Sequence, residues 1–329
     1  MARSLIITIM NSSNQLIKPT SVISTALLTM RLPFLTLTLV CVLLGLATAI
    51  YSEVVINWLY FSLCLIGAAS AHIGVNTLNE YQDFKSGLDF NTVKTPFSGG
   101  SGGLVNSPEH AQSIKVIAYI SLIITTLIGC YFIAVYGVQL FIIGLLGMII
   151  IISYTKYLNK NAWLCLIAPG IAFGILMVVG THYILTGNVS ALVLITGSIC
   201  AFLISNLLLF NQFPDIQADK AVGRKHFAIM YGLHNSLRMY LLFLCLSVIT
   251  LGVACYFNRL PNLCYFAILP MLLGVGSYRK MKILIGDDKD TLPKDSEPLI
   301  HNVLALNVIA ANITPLFLAV CLFITSYQS

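Results

Sequence analysis

The chain has 329 residues, of which 58% are hydrophobic and only 9% carry a charge. Because soluble domains carry roughly 25% charged residues, this composition excludes an ordinary soluble domain and indicates a protein with several membrane spans. The formal net charge of +6 could suggest a nucleic-acid partner in a soluble chain. Here the basic residues follow membrane topology instead, so we expect a lipid bilayer as partner and no nucleic acid.

Nine apolar segments are long enough to cross a bilayer, which takes roughly 17 to 25 helical residues. The sequence therefore predicts an all-α, polytopic membrane protein with nine transmembrane helices. Residues 1–32 are expected to form a cytoplasmic or interfacial N-terminal arm, and residues 33–329 the transmembrane domain. The predicted helices cover residues 33–51, 57–79, 114–135, 138–154, 163–185, 190–210, 236–257, 261–278 and 300–325.

The charged residues predict the orientation of these helices. If the N-terminus is cytoplasmic, every Lys and Arg except Arg259 falls on the cytoplasmic side or at a helix end beside it. Among the acidic residues only Glu53 falls on the opposite side. An excess of Lys and Arg marks the cytoplasmic side of membrane proteins. The sequence therefore predicts a cytoplasmic N-terminus.

A first polar cluster, residues 79–89, begins where the second predicted helix ends. Asn79 and Asp83 are four residues apart, so on a helix the amide and the carboxylate share one face, about one turn apart. Asp89 does not share that face. Gly87 is the expected break that turns Asp89 back toward the other two.

A second polar cluster, residues 211–219, follows the sixth predicted helix and repeats the spacing with Asn211 and Asp215. Asp219 is one turn further on, and Pro214 predicts a kink or a helix start. The clusters follow helices of even number, so both face the same side of the membrane. Matched helix ends of this kind suggest two duplicated helical units that converge.

The two clusters together predict a site for magnesium and phosphate. A single acid at a helix end usually contacts lipid headgroups or a nearby Lys, but two matching clusters on one side favour a shared site. Carboxylate and amide oxygens suit Mg²⁺, which is commonly held by one or two carboxylates together with substrate phosphates. The predicted metal ligands are Asn79, Asp83, Asp89, Asp215 and Asp219, with Asn211 as a further oxygen donor.

Basic residues lie close to both clusters in the sequence. A diphosphate leaving group needs positive charge as its C–O bond breaks, and we expect Lys156 and Arg224 to contact phosphate. Lys85, Lys225 and Tyr154 are further candidates for substrate binding. The alternative is that some of these cations only orient the helices.

Two other features have a structural and a functional interpretation. The Gly/Ser-rich segment 98–103 follows the first cluster and is either a flexible connection or a lid whose backbone N–H groups contact phosphate. His72 lies at the apolar centre of the second predicted helix. We interpret His72 as a hydrogen-bonded packing residue, and His182 lies toward the other membrane side.

These residues resemble the motifs of the UbiA superfamily of intramembrane prenyltransferases. The first motif, Asn79-x-Tyr81-x-Asp83-x-x-x-Gly87-x-Asp89, is similar to that of the menaquinone-type (MenA) branch. The second motif, with Asn211, Asp215 and Asp219 followed by Gly223-Arg224, is similar to the second aspartate motif of that branch. The resemblance also covers the nine-helix plan and therefore most of the chain.

The resemblance implies transfer of a prenyl group from a polyprenyl diphosphate to an aromatic acceptor. Asn79, Asp83, Asp215 and Asp219 would bind diphosphate through Mg²⁺, with Asp89 completing the first motif. Lys156, Arg224 and Tyr154 would stabilise the departing diphosphate, and an electron-rich ring carbon would attack the allylic cation. In the MenA branch the acceptor is 1,4-dihydroxy-2-naphthoate, which loses CO₂.

The resemblance also implies a place in the cell and leaves the acceptor open. We expect an integral protein of the bacterial inner membrane, with a cytoplasmic active site and a role in menaquinone biosynthesis. His226-Phe227 stands where a Thr-Leu pair is frequent in menaquinone enzymes, so homogentisate, 4-hydroxybenzoate or another ring is an alternative acceptor. A transporter is a further alternative, although transporters place ionisable groups near the bilayer midplane.

Overall fold

The structure is a computed structural model that describes residues 21–92, 94–95, 97–286, 292–293 and 297–328. Within these ranges the chain is helical and contains no strand, which confirms the predicted all-α class. The greater part of the predicted N-terminal arm, residues 1–20, lies outside the described residues.

Long apolar helices make this an integral membrane protein. Among the described residues, seven helices are long and apolar enough to cross a membrane. The segment Val138–Ser153 is apolar but shorter, and Ile268–Ile285 carries basic residues in its last turns, so the predicted count of nine spans is not fixed by these criteria. The helices are α1 (Val22–Thr29), α2 (Leu35–Tyr51), α3 (Trp58–Ser86), α4 (Ala111–Tyr136), α5 (Val138–Ser153), α6 (Ala162–Pro169), α7 (Val178–Thr186), α8 (Ala191–Asn211), α9 (Ile216–Ala221), α10 (Phe227–Tyr256), α11 (Ile268–Ile285) and α12 (Glu297–Ser326).

Several helix ends differ from those predicted by hydropathy. Helix α3 continues to Ser86 instead of ending near residue 79, so Asn79 and Asp83 belong to its last turns. Helix α10 begins at Phe227, nine residues before the predicted start, and has a non-helical break at Gly232. Hydropathy marks where a helix leaves the apolar layer, but its backbone hydrogen bonds continue beyond that point.

Close backbone contact between small residues fixes α6 and α7 against α8. A π-helical segment, Gly170–Met177, joins α6 to α7. A Cβ atom at Gly174 would lie 2.3 Å from the backbone nitrogen of Ala201 in α8. Small residues permit this approach, as at many membrane helix interfaces. The crossing brings the first turn of α6 close to the end of α8, where the Gln212 amide donates to Cys165 Sγ at 3.2 Å.

A buried polar network ties α8, α10 and α12 together. The side-chain amide of Asn206 donates to the carbonyl of Tyr240 at 2.8 Å. The Tyr240 hydroxyl donates to Asn307 Oδ1 at 2.9 Å, and the Asn307 amide donates back to the carbonyl of Asn206 at 2.9 Å. These buried hydrogen bonds favour one arrangement of the three helices.

The hydrophobic core has one large part and four smaller clusters. The large part involves α2, α8, α10, α11 and α12, and a small cluster around Phe132 closes the far end of α3, α4 and α5. The outward faces of α4 and α5 expose many large apolar side chains, such as Ile123 and Ile142. These two helices therefore present an apolar surface suited to lipid.

Candidate active site

The end of α3 positions the first polar cluster. Asn79 and Asp83 lie on the same face of the helix, and Gly87 ends the helix in the left-handed conformation with φ of 80°. That conformation favours glycine. The 3₁₀ turn Leu88–Phe90 then returns the chain and buries Asp89. Gly87 is thus the break expected from the sequence, and it turns Asp89 toward the cavity that Asn79 and Asp83 also line.

The end of α8 positions the second polar cluster. The helix ends at Asn211, the chain turns through Pro214, and Asp215 immediately precedes the short helix α9. Asp219 is buried within α9. Gly223 follows with φ of 81°, which turns the chain so that Arg224 points back toward the two clusters.

Both clusters line one polar cavity with a volume of about 210 Å³. The Arg224 guanidinium spans it: one terminal nitrogen donates to Asp83 Oδ1, and the other donates to Asp219 Oδ1 at 2.8 Å. His226 Nε2 lies 3.1 Å from the second oxygen of Asp219. The ends of α3 and α9, which are distant in sequence, are therefore held together by one cation between two carboxylates.

The Gly/Ser segment packs directly onto the acidic residues. The backbone N–H of Gly99 donates to Asp215 Oδ2 at 2.9 Å, and the N–H and hydroxyl of Ser101 both donate to Glu80. Gly100 has φ of 73°, and a Cβ atom there would lie 2.7 Å from Asp89 Oδ1. The position therefore needs glycine for both backbone conformation and space.

Three buried oxygen atoms of the two polar clusters have no hydrogen-bond partner among the described residues. They are Asp89 Oδ2, Asp215 Oδ1 and Asn211 Oδ1. Burial raises the pKa of Asp89 to about 8, with Glu80 and Asp83 adding to the shift. Burial also raises the pKa of Asp215 to about 7, with Asp219 adding to it. Buried carboxylates without partners are costly, and a hard divalent cation would compensate them.

The arrangement of oxygen atoms fits a magnesium ion whose ligands come partly from the protein and partly from a bound phosphate. It fits less well with an ion held by protein side chains alone. No group of three His, Cys, Asp or Glu side chains within the described ranges is arranged around one ion. Mg²⁺ rarely uses such a cage, since it keeps several waters and is bound by one or two carboxylates together with phosphates. The donor set therefore fits Mg²⁺ bound together with a phosphorylated ligand.

Some of the residues predicted to contact phosphate or bind substrate line the cavity, and others do not. Arg224 and Tyr154 line it. Lys156, Lys85 and Lys225 are exposed and do not line either cavity. The ammonium of Lys156 lies 5.3 Å from the centre of the Tyr157 ring, and that of Lys85 lies 6.0 Å from the Tyr81 ring.

Two charged residues at this site, Arg31 and Glu80, were not among the predicted site residues. Arg31 lines the cavity from a left-handed position with φ of 53°, at the break between α1 and the 3₁₀ turn before α2. Its guanidinium lies 3.4 Å from the buried carboxylate of Glu80. Glu80 lies within the first motif and could have been included among the predicted site residues. Arg31 is a single basic residue beside the predicted first helix, and no pattern in the sequence marks it as a site residue.

A second, apolar cavity continues from the polar one between α3, α4, α5 and the α6–α7 segment. Its volume is about 400 Å³. Residues that line both cavities mark the junction between them. They are Arg31, His72, Asn76, Asn79, Tyr154, Pro169, Phe173 and Leu208.

The fold of the chain is similar to the folds of solved membrane proteins. A digeranylgeranylglyceryl phosphate synthase matches with a TM-score of 0.63 and 17% identity, over 92% of this chain and 98% of that chain. A UbiA homologue from Archaeoglobus fulgidus bound to GPP and Mg²⁺ matches with a TM-score of 0.60 and 14% identity, over 91% of this chain and 99% of that chain. At these identities the likeness concerns the fold.

Sequence comparison gives a narrower set of relatives. A 1,4-dihydroxy-2-naphthoate octaprenyltransferase of Bacillus subtilis is 33% identical over 60% of this chain and 63% of its own length. The enzyme of the same name from Haemophilus influenzae is 26% identical over 54% of this chain and 59% of its own length. The chain thus matches somewhat less than two thirds of these relatives. The model of the UbiA prenyltransferase family matches residues 38–294, and the chain belongs to that family.

Proposed function

We propose that this protein transfers a polyprenyl group from its diphosphate to an aromatic acceptor, in a reaction that depends on Mg²⁺. The observation that carries the proposal is the direct junction of two cavities of opposite character. One contains both acidic clusters, including three buried oxygens without partners, and the other is apolar. A prenyl diphosphate has the same two parts.

The polar cavity is suited to the diphosphate. Asp83, Asp89, Asp215 and Asp219 would hold Mg²⁺, with the amide oxygens of Asn79 and Asn211 as further donors. Mg²⁺ would supply positive charge to the diphosphate as the C–O bond breaks. Of the cations named in the sequence analysis, Arg224 is the one that lines the cavity, and the proposal assigns it the contact with the leaving group. Tyr154 is a neutral donor beside it.

The apolar cavity is suited to the prenyl chain and to the exclusion of water. The reaction breaks the bond between the first prenyl carbon and the diphosphate oxygen, and it forms a bond from that carbon to a ring carbon. The allylic cation that develops between these steps reacts with water if water reaches it. The segment 98–103 lies over the acidic residues through Gly99 and Ser101 and would act as the lid.

The favoured acceptor is 1,4-dihydroxy-2-naphthoate, which would lose CO₂ and place the enzyme in menaquinone biosynthesis. Two lines support it: the residues shared with the MenA motif, and relatives named for that acceptor in B. subtilis and H. influenzae. The proposal includes nine spans, residues 33–329 as the catalytic domain, a cytoplasmic N-terminus and an active site on the cytoplasmic side of a bacterial inner membrane. The number of spans is inferred from the apolar segments, the orientation from the distribution of Lys and Arg, and the bacterial inner membrane from the resemblance to the MenA branch.

The test is a product assay with the purified full chain in detergent or lipid. The protein is incubated with Mg²⁺, a polyprenyl diphosphate and each of several acceptors: 1,4-dihydroxy-2-naphthoate, homogentisate and 4-hydroxybenzoate. Mass spectrometry should find the prenylated, decarboxylated product of the naphthoate. A product with another ring would correct the acceptor. Absence of product with every ring, together with ion flux in vesicles, would support the transporter instead.

A further inference from the structure

His72 lies deeper in α3 than the acidic residues but on the same face. His72, Asn76, Asn79 and Asp83 are spaced by four, three and four residues, which places them in one stripe along the helix, and all four line the polar cavity. His72 also lines the apolar cavity and is only 6% exposed. Its imidazole is therefore a buried polar group at the junction of the two cavities.

The Nδ1 atom of His72 is hydrogen-bonded to a threonine of α2. The Thr38 hydroxyl lies 2.7 Å from His72 Nδ1, and this is the hydroxyl's sole hydrogen-bond partner among the described residues. A threonine hydroxyl can donate or accept, so this bond allows the tautomer in which Thr38 donates to Nδ1. In that tautomer the neutral imidazole carries its proton on Nε2.

A second histidine in the same protein has the opposite arrangement. The Thr48 hydroxyl lies 3.0 Å from His182 Nδ1, but it already donates to the carbonyl of Gly45 at 2.8 Å. Thr48 must therefore accept from His182 Nδ1. The other nitrogen, Nε2, lies 3.4 Å from the Ser190 hydroxyl. Both nitrogens of His182 thus have partners, as in a packing residue.

His72 Nε2, by contrast, has no hydrogen-bond partner in the described part of the chain. The ring of Phe173 packs against the imidazole edge-to-face, with 4.8 Å between ring centres. Thr38 and Phe173 together hold the ring in place. The ring thus has a fixed orientation and a nitrogen without a partner at the cavity junction, and this nitrogen carries an N–H where Thr38 donates to Nδ1.

We propose that the Nε2–H of His72 donates a hydrogen bond to a ring oxygen of the aromatic acceptor and so positions the ring beside the first prenyl carbon. The assignment rests on the proposed prenyl transfer. His72 is two helical turns from Asn79, about 10.5 Å along the axis, and therefore lies beyond the diphosphate site. The prenyl chain itself contains no oxygen that could accept.

A neutral imidazole suits this position. A cation at this position would oppose the positive charge that develops on the allylic carbon, whereas a neutral donor binds a hydroxyl or phenolate oxygen without that cost. Such a donor also distinguishes acceptors that carry an oxygen at the right ring position from those that do not, because a buried donor left unpaired is unfavourable.

The experiment compares KM values for the acceptor and for the prenyl diphosphate in four variants. His72→Leu removes the donor, and His72→Gln restores an N–H near the position of Nε2. Thr38→Val removes the hydrogen-bond partner of Nδ1. His182→Leu is the matched control, since it also removes a buried histidine bonded to a threonine in the membrane interior but lies outside both cavities.

The expected result is a selective change in acceptor binding. The acceptor KM rises about three- to tenfold in His72→Leu and less in His72→Gln and Thr38→Val, while the KM for the prenyl diphosphate stays within twofold. In His182→Leu both KM values stay near wild type, even where its melting temperature falls. Calorimetry without turnover should compare the acceptor with an analogue that lacks one ring hydroxyl. The analogue should bind the wild type more weakly than the acceptor does, whereas His72→Leu should bind the two equally well.

An unchanged acceptor KM in a folded His72→Leu protein would overturn the assignment and leave the proposed reaction standing. Equal rises of both KM values, or the same rise in His182→Leu, would show a structural role and overturn it as well. If His72→Leu does not fold, His72→Gln and Thr38→Val decide by the same KM comparison. Failure of the wild type to prenylate any aromatic ring would overturn the proposed function and, with it, the assignment.

Discussion

The Arg224 guanidinium donates to Asp83 across 141 residues of sequence. The same guanidinium donates to Asp219 at 2.8 Å, so one cation holds the carboxylates of two separate motifs next to each other. Without Arg224 two buried carboxylates would repel one another in a region of low dielectric. The order of the site therefore depends on the charge balance between the motifs as well as on helix packing.

Replacing either of two acidic residues should abolish Mg²⁺-dependent prenyl transfer. Asp83→Asn and Asp215→Asn each remove a charge from the metal site with little change in size, and we expect activity to fall by at least about 100-fold. Product formation measured by mass spectrometry checks this. The control is Glu109→Gln, which changes an exposed acid outside the cavity. Full activity in either Asp variant would refute the metal assignment.

Removing Arg224 should make stability depend more strongly on Mg²⁺. In Arg224→Gln the carboxylates of Asp83 and Asp219 lose their shared cation, so the melting temperature in a chelator should fall below that of the wild type. Added Mg²⁺ should raise it more in the variant than in the wild type. Arg224→Lys keeps the charge but lacks the fork that reaches both carboxylates, and should lie between them. Equal Mg²⁺ shifts in all three proteins would contradict the prediction.

A side chain at position 100 should impair the lid. Gly100→Val places a Cβ atom 2.7 Å from Asp89 Oδ1 at a φ of 73°, so both the backbone and the carboxylate must move. We expect kcat to fall at least about tenfold, because a small misplacement near reacting groups is costly. Gly252→Ala is the control, since a Cβ at this helical glycine meets no atom within 4 Å. Unchanged kinetics in Gly100→Val would make the segment a simple connection.

Mg²⁺ binding should strengthen as pH rises through neutrality. Burial raises the pKa of Asp215 to about 7 and of Asp89 to about 8, so without metal both favour the protonated form when folded. Their unfolded pKa is about 3.9, and the metal-free protein should lose stability as pH rises from about 4 to about 8. Mg²⁺ requires the ionised forms and displaces the protons. The melting temperature in Mg²⁺ should therefore increasingly exceed that in chelator as pH rises from 6 to 8. A constant difference between the two curves would contradict this.

The sequence was sufficient for the helical class, the membrane environment and the joining of the two motifs. Hydropathy and the repeated Asn–Asp spacing carry that information locally, and Gly87 marked the turn that brings Asp89 back. The sequence contains no comparable local signal for the positions of Arg31 and Lys156. Arg31 reaches the cavity because the chain breaks between α1 and α2, and Lys156 is exposed in the turn that follows α5. Such directions depend on packing between helices distant in sequence.

The hydrogen bond from the Gly99 backbone to Asp215 has a consequence for the order of events in a catalytic cycle. Lifting the segment from the site removes a donor from a buried carboxylate, which then needs another positive partner. An incoming cation can provide one, so opening should be easier once the ion has arrived. Closure afterwards would trap ion and diphosphate together, and product release would require the same bond to break again. Lid movement and ion occupancy would then change as a single coupled step.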